Sequence, residues 1–206
     1  MPPPLLIGLT GGIAAGKSEA LAAFERLGAA TISSDAVVHE LLDTPEVRDA
    51  LVERWGPEVA PAGTVDRGRI SEIVFERPEE LAWLEAQVHP RVGERLAAWR
   101  ESLPASIEVA VVEVPLLFEA AMDAAFDATV AIVADDHVRQ SRASARGHPD
   151  LEQRERAQLS QRDKAARADH VVRNDGSLAE LEQALSELLV RLRPQRRDSR
   201  SDPLQD

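Results

Sequence analysis

The chain has no cysteine among its 206 residues. That absence excludes disulfide bonds, thiolate zinc sites and cysteine nucleophiles, and it suits a reducing compartment. No apolar run approaches the roughly 18 residues of a membrane-spanning helix. A secretion signal is not predicted either, because prolines occupy positions 2–4 and the apolar run after them ends in GKSEA. We therefore expect a cytoplasmic protein that contacts no membrane.

Acidic residues outnumber basic ones, 36 to 24, so the formal net charge is −12. Such a balance argues against a general nucleic-acid partner, and any site for an anionic ligand must be built locally. Lysine occurs only at Lys17 and Lys164. Because lysine is so rare in this chain, the position of Lys17 near the N-terminus is less easily explained by chance. We expect a monomer or a weak homo-oligomer with no nucleic-acid partner.

Short apolar runs alternate with segments of helical periodicity along most of the chain. Such alternation is typical of a parallel sheet covered by helices on both faces, a three-layer α/β/α fold. Ser177 and Glu180 form a capping box before a last helix with a leucine stripe. The five predicted strands cover residues 5–10, 30–32, 107–114, 127–134 and 170–174.

Two segments interrupt this alternation and one follows it. Residues 46–103 contain no clear strand and are predicted to form a helical insertion, with Pro90 interrupting a long helix. Residues 136–167 are helical and rich in arginine, and we interpret them as a lid. A polar tail, residues 195–206, is expected to be disordered. The predicted nucleotide-binding core is the remainder, residues 1–45, 104–135 and 168–194.

Residues 11–18, GGIAAGKS, match the phosphate-loop pattern G-x-x-x-x-G-K-[ST]. A strand precedes the pattern and a helix follows it, as that function requires. Glycines allow the backbone N–H groups to point at phosphate oxygens, and the helix N-terminus favours negative charge. Lys17 can reach the β- and γ-phosphates of a nucleotide, and the Ser18 hydroxyl can ligate Mg²⁺.

The class of nucleotide-binding protein is narrowed by motifs that are missing. The chain has no N-K-x-D and D-x-x-G pair, which a GTPase would need, and no LSGGQ-like signature of a transporter ATPase. Small size and an arginine-rich segment late in the chain favour a small-molecule kinase, whose lid must exclude water from the transferred group. A kinase of a nucleoside or nucleoside monophosphate, and a non-catalytic nucleotide switch, remain alternatives.

Three further positions have both a functional and an ordinary interpretation. Asp35 follows the second strand and could accept the proton of an attacking hydroxyl, or simply cap the next helix. Glu113 ends the third strand, where an acid near Mg²⁺ would lie, yet many strands end in a carboxylate. His89 precedes Pro90 and is either directed into a cleft or structural. The apolar residues 115–118 either line a pocket or belong to the core.

Seven strings together resemble the dephospho-CoA kinase family, in the family's order and over residues 5–192. They are IGLTGGIAAGKS, SSDAVVHELL, GTVDRGRISEIVF, LEAQVHP, VVEVPLLFE, RQSRASARG and ADHVVRNDGSLAEL. The resemblance implies a P-loop kinase with a helical acceptor-binding insertion and a helical lid. It implies transfer of the γ-phosphoryl group of ATP to the ribose 3′-hydroxyl of dephospho-CoA, giving CoA.

The resemblance also implies residue roles. Asp35 would activate the hydroxyl, with Lys17 and Arg142 as the other catalytic groups, and Ser18 and Glu113 would serve the metal. Acceptor contacts would come from Asp35, His89, Pro90, Leu116 and Phe118. The nucleotide would be bound by Gly11, Gly12, Ile13, Ala14, Ala15, Gly16, Lys17, Ser18, Glu19, Arg146 and Asn174.

The chain departs from the family pattern at several positions. Ser33 stands where the family often has a first aspartate, and His39 stands where arginine is common. Ala14 and Ala15 replace a usual glycine and serine, which we expect to be a mild change because backbone N–H groups form the cradle. Glu19 replaces threonine and would bring negative charge near the phosphates unless it turns away.

Overall fold

The computed structural model describes residues 3–145 and 158–198, with side chains throughout these ranges except at residue 76 and residues 193–198. Five strands form one sheet in the order β2-β3-β1-β4-β5, and every neighbouring pair is parallel. The predicted five-stranded parallel sheet is thus confirmed. The strands are β1 (Leu5–Gly11), β2 (Ala30–Ser33), β3 (Val109–Glu113), β4 (Ala128–Val133) and β5 (His170–Arg173).

One face of this sheet carries a cluster of buried apolar side chains. Helices α1 (Lys17–Arg26) and α8 (Leu178–Asp198) pack against each other over it. Phe24 of α1 and Leu185 of α8 are both fully buried there, together with Ile7 and Leu9 of β1. Alternate residues of a strand point to opposite faces, so the odd-numbered residues of β1 belong to this layer.

The opposite face is covered by α7 (Gln161–Arg167), which packs on β1 and β4, and by the chain that follows β3. Gly8 of β1 lies beneath that chain: a Cβ there would stand 2.9 Å from the Phe126 ring and 3.3 Å from Leu117. Helix α6 (Asp136–Ala145) follows β4. Helices on both faces make the three-layer α/β/α fold that the sequence predicts.

Residues 34–102 form a second compact unit, whereas residues 1–33 and 103–206 belong to the first. Its helices are α2 (Ser34–Leu42), α3 (Pro45–Trp55), α4 (Arg67–Glu76) and α5 (Pro78–Ser102), with short 3-10 turns at Pro57–Val59 and Pro61–Gly63. The sequence prediction starts the helical insertion at residue 46. The structure groups α2 with the later helices because α2 packs on α5, a contact that periodicity alone does not reveal.

Helix α5 continues through Pro90, which lies in its interior. Proline has no N–H for the carbonyl four residues earlier, so Ala86 loses its usual helical donor. In the same turn, the Arg91 guanidinium donates to the Gln87 carbonyl at 2.6 Å. A side chain therefore supports a backbone carbonyl at the point where proline weakens the helix.

The capping box before α8 is confirmed. The Ser177 N–H donates to Glu180 Oε2 at 2.7 Å, and the Glu180 N–H donates to Ser177 Oγ at 3.3 Å. The Ser177 N–H holds the pKa of Glu180 below its usual value. The predicted disordered tail differs from the structure at residues 195–198, which lie within α8. Each residue added to an existing helix gains a hydrogen bond, so a polar sequence can prolong it; residues 199–206 lie outside the described residues.

Over the ranges that the structure describes, none of the helices has both the length and the apolar character needed to cross a bilayer.

A charged and aromatic cluster joins α3 to α5 within the second unit. Glu80 accepts from Arg54 Nε at 3.0 Å, from Arg54 Nη2 at 3.1 Å and from Trp55 Nε1 at 2.8 Å. The Arg54 guanidinium lies 5.4 Å from the centre of the Trp83 ring, and Trp83 makes an edge contact with Trp55. The hydrogen bonds from Arg54, and to a smaller extent that from Trp55, hold the pKa of Glu80 below its usual value.

Replacing Glu80 by glutamine is expected to lower the melting temperature of the second unit at neutral pH, and to lose that effect in acid. A carboxyl with a lowered pKa in the folded state stabilises the fold above its unfolded pKa. That contribution is lost as the pH falls through the folded pKa. The difference between wild type and Glu80→Gln should therefore shrink from pH 7 to about pH 3.

Tryptophan fluorescence measures this unit selectively, because all three tryptophans, Trp55, Trp83 and Trp99, lie within residues 34–102. Glu94→Gln on the same helix is the matched control, since Glu94 is exposed. A difference between wild type and Glu80→Gln that stays constant across the titration would contradict an ionic role for Glu80.

Candidate active site

The predicted phosphate loop lies between the end of β1 and the start of α1. Gly11 and Gly16 have φ values of +152° and +97°, which side-chain-bearing residues rarely adopt. Space excludes side chains as well: a Cβ on Gly11 would stand 2.3 Å from the Ile132 carbonyl oxygen, and one on Gly16 would stand 2.1 Å from Asn174 Nδ2. The pattern requires glycine at both positions for conformation and for close approach.

Lys17, the first residue of α1, folds back over this loop. Its Nζ donates to the carbonyls of Gly11 at 3.3 Å and Gly12 at 3.1 Å. Ser18 follows in the first turn and is exposed. Among the described residues no side chain caps this helix N-terminus at Gly16, so its first turn of backbone N–H groups suits an anion such as a phosphate.

Glu19 is half-buried, with its Oε2 3.3 Å from where a Cβ on Gly16 would stand. The carboxylate therefore lies beside Gly16, on the side where the Asn174 amide also approaches. The sequence analysis expects Glu19 to bring negative charge near the phosphates unless it turns away, and the structure places its carboxylate on this side of Gly16.

Arg142 and Asn174 meet at the phosphate loop, although they are far apart in sequence. Asn174 is buried and its Nδ2 donates to the Ala15 carbonyl at 2.9 Å. Arg142 Nη1 donates to the carbonyls of Asn174 at 3.0 Å and Ala15 at 3.4 Å. Helix α6 and the end of β5 thus contact the same peptide of the loop. Arg146 lies outside the described residues.

Arg139 is a site residue that the sequence analysis does not single out. It lies one helical turn before Arg142 and is 5% exposed. Its Nε donates to the Ile13 carbonyl at 3.1 Å, and its Nη1 lies 3.3 Å from Asp136 Oδ1. Burial lowers the pKa of the Arg139 guanidinium, and Asp136 opposes that shift. The spacing of Arg139 and Arg142, which places both on one helix face, is the signal that could have identified it.

The loop after β5 is fastened to the loop after β4. Arg173 donates to Asp135 at 2.6 Å and to Asp175 at 3.0 Å, and the Asp135 N–H donates to Asp175 Oδ1 at 2.5 Å. The hydrogen bond from the Asp135 N–H, and to a smaller extent that from Arg173, holds the pKa of Asp175 below its usual value. Asn174, between the two charged residues, is therefore fixed in position against Ala15.

Glu113 ends β3 at the same edge of the sheet as the loop. It is paired in register with Leu9 of β1 and with Ser33 of β2, and its side chain is half-buried. The carboxyl ends of parallel strands are where ligands of such sheets bind. Within the described residues no group of three or more His, Asp or Glu side chains could hold a metal. Mg²⁺ that accompanies nucleotide phosphates is usually bound through one or two carboxylates together with waters.

The predicted acceptor residues divide between the two compact units. Asp35 lies in the first turn of α2, two residues along the chain from the end of β2, and is exposed. His89 and Pro90 are exposed on α5. In the first unit, Leu116 is 40% exposed, whereas Phe118 is 8% exposed and is packed into the protein. Leu116 is therefore better placed than Phe118 to contact a ligand.

The comparisons with known proteins agree with this geometry. The family profile described as dephospho-CoA kinase matches residues 5–180. The chain belongs to the dephospho-CoA kinase family. A dephospho-CoA kinase of Symbiobacterium thermophilum is 40% identical over 185 residues, covering 84% of this chain and 75% of that protein. One of Thermobifida fusca is 36% identical over 191 residues, covering 89% and 94%.

Solved structures give the same result for the fold. A Thermus thermophilus protein superposes with a TM-score of 0.81 at 34% identity, covering 93% of this chain and 99% of that one. The dephospho-CoA kinase of Campylobacter jejuni gives 0.67 at 25% identity, covering 91% and 96%. A shikimate kinase of Bacteroides thetaiotaomicron, at 16% identity and 0.56, shares the fold. This member of the dephospho-CoA kinase family is thus a P-loop kinase of the three-layer type.

Replacing Arg139 by methionine is expected to raise the KM for ATP about tenfold in this kinase, with a smaller change in kcat. Methionine fills much of the same space but leaves the Ile13 carbonyl without its donor, and hydrogen bonds from charged groups contribute about 1.5–3 kcal/mol. Arg162→Met on α7 is the control, because Arg162 is exposed. Steady-state kinetics with ATP varied measures the effect; equal KM values for ATP in the two variants would contradict a role for Arg139 in shaping the loop.

Proposed function

We propose that this kinase transfers the γ-phosphoryl group of ATP to the ribose 3′-hydroxyl of dephospho-CoA, giving CoA and ADP. The observation that carries the proposal is the phosphate loop, whose carbonyls contact Lys17, Arg139 and Arg142, in a chain of the dephospho-CoA kinase family. We place this activity in the cytoplasm, with dephospho-CoA as a small-molecule partner and with a monomer or weak homo-oligomer as the active form.

Phosphoryl transfer needs positioning and charge stabilisation more than covalent help from the protein. The backbone N–H groups of residues 11–18 and the N-terminus of α1 would bind the β- and γ-phosphates of ATP. Lys17 and Arg142 already lie at the loop and would exchange its carbonyls for phosphate oxygens. Such exchange suits the reaction, because both donors would be bound close to the charge that develops on the transferred group.

Asp35 is proposed as the group that orients the 3′-hydroxyl and accepts its proton. Two features support this role: it lies two residues after the end of β2, and it is an exposed carboxylate. His89, Pro90 and Leu116 are proposed as acceptor contacts, and Phe118 as support for the segment that carries Leu116. Asn174, which lies between Arg173 and Asp175 in the chain and is held against Ala15, is proposed to position the adenine end of ATP.

The residues present also fit Mg²⁺, which accompanies ATP in such kinases. The exposed Ser18 hydroxyl would be a direct ligand, and Glu113, at the end of β3, would hold the metal's waters. Bound there, the ion would neutralise phosphate charge.

The test is ADP release from ATP with and without dephospho-CoA, beside a panel of nucleosides and nucleoside monophosphates, with products identified by mass. The expected result is stimulation by dephospho-CoA alone, with a product heavier by one phosphoryl group. Stimulation by another acceptor instead would overturn the assignment of dephospho-CoA as the substrate but would still show kinase activity. ATP binding without stimulation by any acceptor would overturn the transfer itself.

A further inference from the structure

Lys164 is a buried charge that the proposed reaction does not use. It is the only lysine besides Lys17, it lies in α7, and it is 0% exposed. Moving an ammonium group out of water costs several kcal/mol unless partners replace its hydration. An ammonium has three donors, and three oxygens surround this one: the Pro115 carbonyl at 2.5 Å, Glu119 Oε1 at 3.1 Å and Gln158 Oε1 at 3.4 Å.

Two of these partners are the first and last residues of one short segment, residues 115–119, which we call the PLLFE segment. Its first carbonyl, that of Pro115, also accepts from Thr10 Oγ1 at 3.2 Å. Its last residue, Glu119, also accepts from the Leu159 N–H at 2.9 Å. Both ends are therefore fixed from two sides, by β1 and α7 at Pro115 and by α7 and the chain before it at Glu119.

Between these fixed ends, the PLLFE segment exposes one large apolar side chain and buries two. Leu117 and Phe118 are buried, with 0% and 8% of their surface exposed, whereas Leu116 is 40% exposed. The segment follows Glu113 by two residues, so it begins at the edge of the sheet where the phosphate loop also begins. Lys164 therefore contacts both ends of the segment from which Leu116 is exposed.

We propose that Lys164 is a positioning residue for the acceptor, holding the PLLFE segment so that Leu116 contacts dephospho-CoA. The inference rests on the proposed function, which makes Leu116 an acceptor contact. A residue that only stabilised the fold would not need to be charged, because a buried ion pair can often be replaced by uncharged groups without loss of stability. The ammonium group explains why a charged residue is used here, because a single Nζ bonds both the Pro115 carbonyl and the Glu119 carboxylate, at the two ends of the segment.

The experiment compares Lys164→Met with the double variant Lys164→Met/Glu119→Gln. The single variant leaves the Glu119 carboxylate without its cation and should melt at a lower temperature. The double variant removes that unpaired charge and keeps an acceptor for the Leu159 N–H, so its melting temperature should recover. In both, the KM for dephospho-CoA should rise about tenfold or more, from the loss of a charged hydrogen bond at Pro115, while the KM for ATP stays within about twofold.

A purely structural role gives a different pattern. If the KM for dephospho-CoA returns to the wild-type value together with the melting temperature in the double variant, the proposal is overturned. Equal increases in both KM values would overturn it too, since they would indicate a general loosening of the site. If neither Lys164 variant folds, Glu119→Gln decides, because it keeps Lys164 but removes the ionic contact by which Lys164 holds the far end of the PLLFE segment. A raised KM for dephospho-CoA would then support the proposal, and an unchanged one would overturn it.

The wild-type panel keeps this test separate from that of the proposed function. Should the wild type phosphorylate a different acceptor, the substrate assignment fails, and the same comparison of KM values is made with the acceptor found. An effect on that acceptor's KM alone would keep Lys164 as a positioning residue for another substrate, whereas no selective effect would overturn it.

Discussion

Asp35→Asn is expected to lower kcat by about 10²- to 10⁴-fold, the usual contribution of a positioned general base. Asparagine has nearly the same shape and can still accept a hydrogen bond, but it cannot take the proton of the 3′-hydroxyl. The affinity for ATP should stay within about twofold, since a carboxylate aimed at the acceptor contributes little to phosphate binding. Steady-state kcat with saturating dephospho-CoA, with ATP affinity measured by titration calorimetry, tests both parts.

A matched control separates this effect from a general change in charge or helix stability. Glu40 is exposed on the same helix, with its Oε2 3.8 Å from Arg95 Nη2, and Glu40→Gln should retain nearly full activity. Loss of a negative charge from the first turn of α2 costs about 0.3–1 kcal/mol, so the melting temperature of Asp35→Asn should fall only slightly. If Asp35→Asn keeps the wild-type kcat, Asp35 is not the general base.

The features of the fold that sequence predicts well are local ones. Each strand is a short apolar run with a turn signal after it, and the structure places all five within a few residues of the predicted ranges. The phosphate loop is equally local: Gly11 and Gly16 are required by backbone conformation at a strand-to-helix turn. Such features depend on neighbouring residues, which a single sequence displays directly.

Contacts between distant segments were predicted less well. Arg139 reaches the Ile13 carbonyl from 126 positions away, and Lys164 reaches Pro115 from 49 positions away. In the sequence both belong to a basic, polar stretch that is typical of an exposed helix. The position of α6 beside the phosphate loop buries Arg139, and the packing of α7 on β1 and β4 buries Lys164, so both become donors to backbone carbonyls.

The change at Ala14 also has a physical meaning that the sequence alone does not show. Ala14 has a φ of +59°, in the left-handed region, where a Cβ costs roughly 1–2 kcal/mol. The sequence analysis expects alanine to be a mild replacement for glycine because backbone N–H groups form the cradle, but the positive φ shows that the backbone at Ala14 is strained. Strain of this kind persists where the surroundings fix the conformation, and the bonds to the adjoining carbonyls of Ile13 and Ala15 are such a constraint.

Lys17→Met is expected to reduce kcat by about 10²- to 10³-fold, the effect typical of losing one donor to developing charge. The present contacts of Lys17 give the reason: its Nζ is bonded to the Gly11 and Gly12 carbonyls, so it is held at the loop before phosphate arrives. A cation that is already in place loses little in reorganisation and stabilises the transition state more than the bound substrate. ATP affinity should therefore fall much less than kcat, by about tenfold or less.

Lys17→Arg is the matched control, because it keeps the charge and changes the geometry. A planar guanidinium is larger than an ammonium and directs its donors differently, so this variant should recover ATP affinity but only part of kcat. If Lys17→Met instead raised the KM for ATP with kcat unchanged, Lys17 would bind ground state and transition state equally. The stabilisation of the transferred group would then have to come from Arg139, Arg142 and the N-terminus of α1, which the fold also places at this loop.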